Sequence, residues 1–195
     1  MFCKQRKSIG QEKYKMGKNK KRRRAYLDDF KKNENGQYTY EGTLYRLAGD
    51  EKTRKKRIRN MLLACGVLLC SVILNGFLPV PGLQNSAFVL LPYAVELIAS
   101  VSCCVGMARM LAAGRREWQL REYIYESTVQ KLPGRSVFAA FCAGATAIGE
   151  CLYLFLNRTD IVSWFVFLFF ILEAVSIGSA LQLGRELKTQ KWEKV

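Results

Sequence analysis

Apolar residues in this chain segregate into four blocks instead of alternating with polar ones. The first, over 61–78, reads MLLACGVLLCSVILNGFL and carries no charge; further apolar runs cover 87–113, 137–156 and 161–183. Each is about the length of the roughly 20 residues a helix needs to cross the hydrocarbon core of a bilayer. Backbone groups in lipid must be satisfied within their own segment, so helices are the expected form. The pattern predicts an all-α fold, an integral membrane four-helix bundle over 51–195 behind a polar head over 1–50.

The polar stretches add detail. Helical patterning starts at Asp50-Glu51, an acidic opening suited to a helix N-terminus. Pro79, Pro81 and Gly82 end the first span, and Pro133-Gly134 is expected to break the chain before the third. Within the loop 114–136, Trp118, Tyr125, Val129 and Leu132 recur at helical steps and Glu117 stands four residues before Arg121. That stretch reads as an extension of span two or as an amphipathic helix on the membrane surface. In the head, residues 1–24 are rich in Lys and Arg and read as disordered. The turn signal Asn33-Glu34-Asn35-Gly36 precedes a strand-like alternation that puts Tyr38 and Tyr40 on one face. This reads as a small tyrosine-rich element near the headgroups.

Charge fixes the orientation. Residues 1–60 hold 20 of the 31 Lys and Arg and 7 of the 16 Asp and Glu. The loop 114–136 adds five basic residues and the tail 184–195 four, whereas the two opposite connections carry only Arg158. By the positive-inside rule both termini are cytoplasmic, and the plasma membrane is the expected location. No cleavable signal peptide is apparent, and Met16 is an alternative start. Lys52, Arg54, Lys55, Lys56, Arg57 and Arg59, together with Arg115 and Arg116, are expected to contact anionic lipid headgroups. Each such charge is worth about 1 kcal/mol near the surface. Orientation and lipid contact account for the basic head, so nucleic acid is not an expected partner.

Three ionisable residues break the apolar blocks: Glu96, Glu150 and Glu173. A charge at membrane depth costs about 2.5–3.5 kcal/mol on insertion scales, so such groups face protein or a water-filled cavity. Their same-face neighbours agree: Tyr93, Ala99, Ser100 and Cys103 for Glu96, Thr146 and Ala147 for Glu150, and Ser176 and Ala180 for Glu173. Small residues of this kind let helices approach closely. The runs Ala140-xxx-Gly144, Ala145-xxx-Gly149 and Ala174-xxx-Gly178 predict tight packing of spans three and four. Two readings of the glutamates compete. Either they hold a proton, a cation or a cationic substrate in a cavity open to the outside, or they are acids that hydrogen-bond between helices. Asn75 is placed to join either network.

Other chemistry is thin. The chain has no histidine, and six of its seven cysteines (all but Cys3) lie in the spans without a C-x-x-C pair, so neither a zinc site nor a cofactor is expected. Phosphate-loop, dinucleotide and nucleophile-elbow motifs are lacking, and enzymatic activity is not expected. What remains is a non-catalytic membrane subunit or scaffold, associating with a membrane protein partner or a second copy. A small proton- or cation-linked transporter is the alternative.

Overall fold

The computed structural model describes residues 30–32, 37–40, 42–114, 119–157 and 164–195. The chain falls into two compact units, Met1–Leu44 and Tyr45–Val195. Expectations for residues 1–24, for the 33–36 turn and for residues 115–118 lie outside the described residues.

In the first unit β1 (Phe30–Lys32) pairs antiparallel with β2 (Tyr38–Tyr40), Phe30 opposite Tyr40. The two rings meet edge-on, with centroids 5.3 Å apart. The Tyr40 hydroxyl donates to the Thr43 carbonyl at 3.3 Å. Cross-strand aromatic contact of this kind is what stabilises so short a pair.

The second unit opens at Tyr45, within β3 (Leu44–Leu47), and turns at Gly49, whose φ of 107° is open to glycine at little cost. Helix α1 (Glu51–Phe77) then runs from an extended Asp50. A single turn of helix, α2 (Pro81–Asn85), starts on its proline, and Ser86 separates it from α3 (Ala87–Ala113). After β4 (Gln119–Arg121) comes a helical turn over Glu122–Ile124 that widens into a π turn over Tyr125–Val129. The chain continues as α4 (Leu132–Asn157) and α5 (Trp164–Thr189) and ends in β5 (Trp192–Lys194). Helices α1, α3 and α5, and α4 with the turn before it, are long and apolar enough to cross a membrane. They pack in a closed ring: α1 on α5, α5 on α4, α4 on α3, α3 on α1.

The break expected before the third span falls at the turn over residues 130–131, and Pro133 stands just after it, in the first turn of α4. There the missing N–H is not needed and the fixed φ suits the helix. One expectation needs correcting: the fold is not purely helical. β3 lies between β4 and β5, with Tyr45 opposite Lys194, Arg46 opposite Glu193 and Leu47 opposite Trp192. The segment read as a helical extension of span two therefore begins as a strand. The helical stripe itself is real from Tyr125 onward: Val129 and Leu132 are buried, and Tyr125 stacks on Tyr45 with centroids 4.2 Å apart and planes 9° from parallel.

The interior has three layers. Under the sheet, Leu47, Ile58, Met107, Met110, Leu120 and Leu132 form one apolar cluster. Leu68, Val72, Ala99, Ala139 and Ala180 fill the middle. At the far end, Val80 and Leu83 from the α2 connection pack on Val89, Val166 and Phe169, so this connection plugs the bundle. Most apolar surface points outward: only 28–39% of the most apolar stretch of each helix is buried.

Close approaches do not follow the small-residue motifs as expected. Gly144 and Gly178 have nothing within 4 Å of a would-be Cβ, and Gly149 packs on Phe88 and Val89 of α3. Spans three and four instead meet where Gly184 faces Ser136, whose hydroxyl is 2.8 Å from a Cβ built on the glycine. Such a motif permits a close approach but does not choose the partner. Helices α1 and α3 touch through sulfur, Cys65 Sγ and Cys104 Sγ lying 2.8 Å apart. Mild oxidation with copper–phenanthroline should give an internal disulfide between these two residues, seen as an alkylation-resistant pair by mass spectrometry. Cys104→Ser should abolish it, and failure of the wild type to form it would contradict this packing.

Candidate functional site

Each of the three glutamates faces the interior, at 0% exposure for Glu96 and Glu150 and 1% for Glu173. On α3, Glu96 lies on the same buried stripe as Ala99, Ser100 and Cys103. Its Oε1 accepts the Ser176 hydroxyl of α5 at 2.8 Å. Thr146 of α4 lies alongside and donates its own proton to the Cys142 carbonyl at 3.0 Å. On α5, three residues before Ser176, Glu173 Oε1 accepts the side-chain amide of Asn75 from α1 at 3.1 Å. Glu96 and Glu173 lie within each other's field. Tyr93 stands close to both, its hydroxyl donating to the Val72 carbonyl at 3.0 Å. Four helices thus contribute to one polar cluster.

Glu150 is elsewhere. Its Oε1 accepts the backbone N–H of Gly82 at 3.1 Å, with the N–H of Leu83 also directed at it. The first N–H groups of a helix have no partner inside it, and a carboxyl is their natural acceptor. The carboxyl lies so close over Gly82 that a Cβ there would collide with Oε2. Glycine is therefore required for this approach, not for its backbone angles. Of the three glutamates, two come together and the third clamps the plug at the end of the bundle away from the sheet.

Hydrogen bonding in the cluster is half complete. Among the described residues, Glu96 Oε2, Glu173 Oε2, Asn75 Oδ1 and Ser100 Oγ are buried without a partner, as is Glu150 Oε2 at the plug. The cavity open to the outside that the sequence raised as one possibility does not surround the pair, which is wholly enclosed.

No known protein family, curated protein or solved structure matches this chain.

The basic residues expected at lipid headgroups divide. Lys52, Lys55, Lys56 and Arg59 are exposed and Arg57 is half-buried, with Lys55 Nζ bonded to Glu51 at 2.6 Å. Arg54 is different: it is turned inward and 8% exposed. Arg115 and Arg116 lie outside the described residues. Sequence reasoning found Glu96, Ser176, Glu173 and Asn75, but put Thr146 beside Glu150, whereas it lies alongside Glu96. It missed Gly82, because the group that binds Glu150 is a backbone N–H and leaves no side-chain signal. It also missed the inward turn of Arg54, whose place four residues before the apolar Ile58 was the available clue.

Proposed function

We propose that this chain is a non-catalytic, multi-pass subunit or scaffold of the plasma membrane with both termini in the cytoplasm. The observation that carries the reading is that every buried carboxyl bonds to a different element: Glu96 of α3 to α5, Glu173 of α5 to α1, Glu150 of α4 to α2. The acids are used to tie the bundle together. A carboxylic acid is both donor and acceptor, and lipid offers no competing water.

The membrane setting is supported by the outward apolar surface and by an aromatic belt. Phe77, Phe88, Phe155 and Trp164, one on each long helix, are more than half exposed at the end away from the sheet. Aromatic rings favour the level of the headgroups. The sheet end carries Arg46, Arg121, Lys188, Lys191 and Lys194 besides the cluster on α1, which supports placing that end in the cytoplasm.

Ala174 and Gly178 are exposed side by side on α5, a small-residue face that the bundle itself does not cover. In lipid such a face suits another helix, from a second copy or a partner subunit. With Cys3, Cys65, Cys70, Cys103, Cys104, Cys142 and Cys151 replaced by serine or alanine, Gly178→Cys should cross-link within the membrane to another polypeptide. A Phe141→Cys control on the neighbouring α4 should not. A chain that stays monomeric and unlinked in native membranes would remove the support for a scaffold.

A second reading is favoured by the unpartnered oxygens. Glu96 Oε2, Glu173 Oε2 and Asn75 Oδ1 all lack a donor, and a proton or a small cation shared by the pair supplies what they lack. This is the transporter alternative, and the salt arm of the Glu173 experiment below decides it.

A further inference from the structure

An unpaired guanidinium is the least expected group in the interior of a protein, because removing one partner of a buried ion pair is strongly destabilising. Arg54 is in that position. It is 8% exposed, and its Nε and Nη1 are buried with no hydrogen-bond partner among the described residues. The nearest acidic residue along α1, Glu51, lies within its field but is bonded to Lys55. Glu193 stands opposite Arg46 in the sheet.

The surroundings point the same way. One turn beyond Arg54 on the same face of α1, Ile58 lines a narrow cavity together with Leu47, Leu120, Gln190 and Trp192. The indole Nε1 of Trp192 is also buried without an acceptor. The cavity measures about 10 Å³, room for one water-sized group. It admits one oxygen of a ligand, not a headgroup. Three N–H-bearing nitrogens without acceptors thus lie at the end of the bundle where the sheet closes it, and the element that carries Arg54 is the one ringed by Lys52, Lys56, Arg57 and Arg59.

We propose that this end of the bundle binds a phosphate group on the Arg54 guanidinium. Guanidinium groups match tetrahedral oxyanions in charge and donor geometry. Two sources offer that chemistry: the phosphate of an anionic lipid in the cytoplasmic leaflet, and free phosphate in the cytoplasm. The surrounding lysines and arginines raise the local concentration of either. The site is independent of the glutamate cluster and of the scaffold reading.

Thermal unfolding of the full chain in phosphatidylcholine nanodiscs tests it, with phosphatidylglycerol titrated into the lipid or inorganic phosphate into the buffer. Wild-type protein should gain stability in a saturable way. Arg54→Met should need about tenfold more of the anion, or fail to respond, as expected for a charge-assisted hydrogen bond. Lys56→Gln, an exposed neighbour, should shift the titration only a few-fold. Without anion, Arg54→Met should be at least as stable as wild type, since it removes an unpaired charge. A response to phosphatidylglycerol alone identifies a lipid headgroup; an equal response to phosphate identifies the free ion. No response of the wild type to either, or equal weakening in Arg54→Met and Lys56→Gln, overturns the proposal. If Arg54→Met does not assemble, Arg54→Lys keeps the charge but loses the planar donors. Unchanged affinity in that variant overturns the proposal as well.

Discussion

Glu173→Ala should destabilise the bundle by about 2–3 kcal/mol, whereas Glu173→Gln should lose less than about 1 kcal/mol. The alanine variant strands the Asn75 amide, whose donor bond to Glu173 measures 3.1 Å. Interhelical hydrogen bonds in lipid are worth about 0.6–2 kcal/mol, and the missing side chain leaves a cavity that costs about as much again. Glutamine keeps an acceptor for Asn75 and adds a donor for the unpartnered Asn75 Oδ1. The measurement is reversible unfolding in mixed micelles by titration with a denaturing detergent. Repeating it at several sodium concentrations, with choline as the control, separates the two readings of the cluster. A structural acid makes wild type and Glu173→Gln equally indifferent to sodium. Should sodium stabilise the wild type and leave Glu173→Gln unmoved, the cation-linked reading replaces the scaffold.

Gly82→Val should be the more damaging change, at about 2–4 kcal/mol, although it lies in a connection and alters no charged group. A Cβ at this position collides with the Glu150 carboxyl. Pushed aside, the carboxyl loses the Gly82 and Leu83 N–H groups and remains buried with neither oxygen satisfied. Val80 and Leu83, which plug that end of the bundle, lose their clamp at the same time. The double variant Gly82→Val/Glu150→Ala removes the clash, so its loss should fall well short of the sum of the two single losses. Strict additivity of the two substitutions would show that the contact does not govern this end.

Different physics made parts of this molecule readable and parts not. The four helices follow from the length and apolarity of their runs, a local property that nothing else in the chain needs to agree with. The inward direction of Glu96 and Glu173 was likewise legible, because Ser100, Ser176 and their small neighbours repeat at helical spacing. The sheet was hidden for the opposite reason. Its strands are three or four residues long and come from before the first helix, from between the second and third spans, and from after the last. Leu47 and Trp192 become neighbours only once the bundle is formed. Gln119-Leu120-Arg121 has no pattern long enough to tell a strand from a helix. The glycine motifs failed on choice of partner: Gly149 was expected against span four and lies against Phe88 and Val89 of α3.

The order of strands in that sheet bears on how the protein is made. The central strand, β3, leaves the ribosome before the four long helices, yet both of its neighbours are synthesised later, one after two of those helices and the other after four. Until then β3 offers two bare edges, the template on which unwanted strands pair. A nascent chain with two of the long helices made can cover one edge at best. Only a chain whose four long helices have folded back on one another, each second one returning to the same end of the bundle, can cover both. The sheet therefore closes last, and only on the finished bundle. Quality-control proteases that seize exposed strands would find β3 bare on every incomplete copy and covered on a complete one, where β4 and β5 take over as edges.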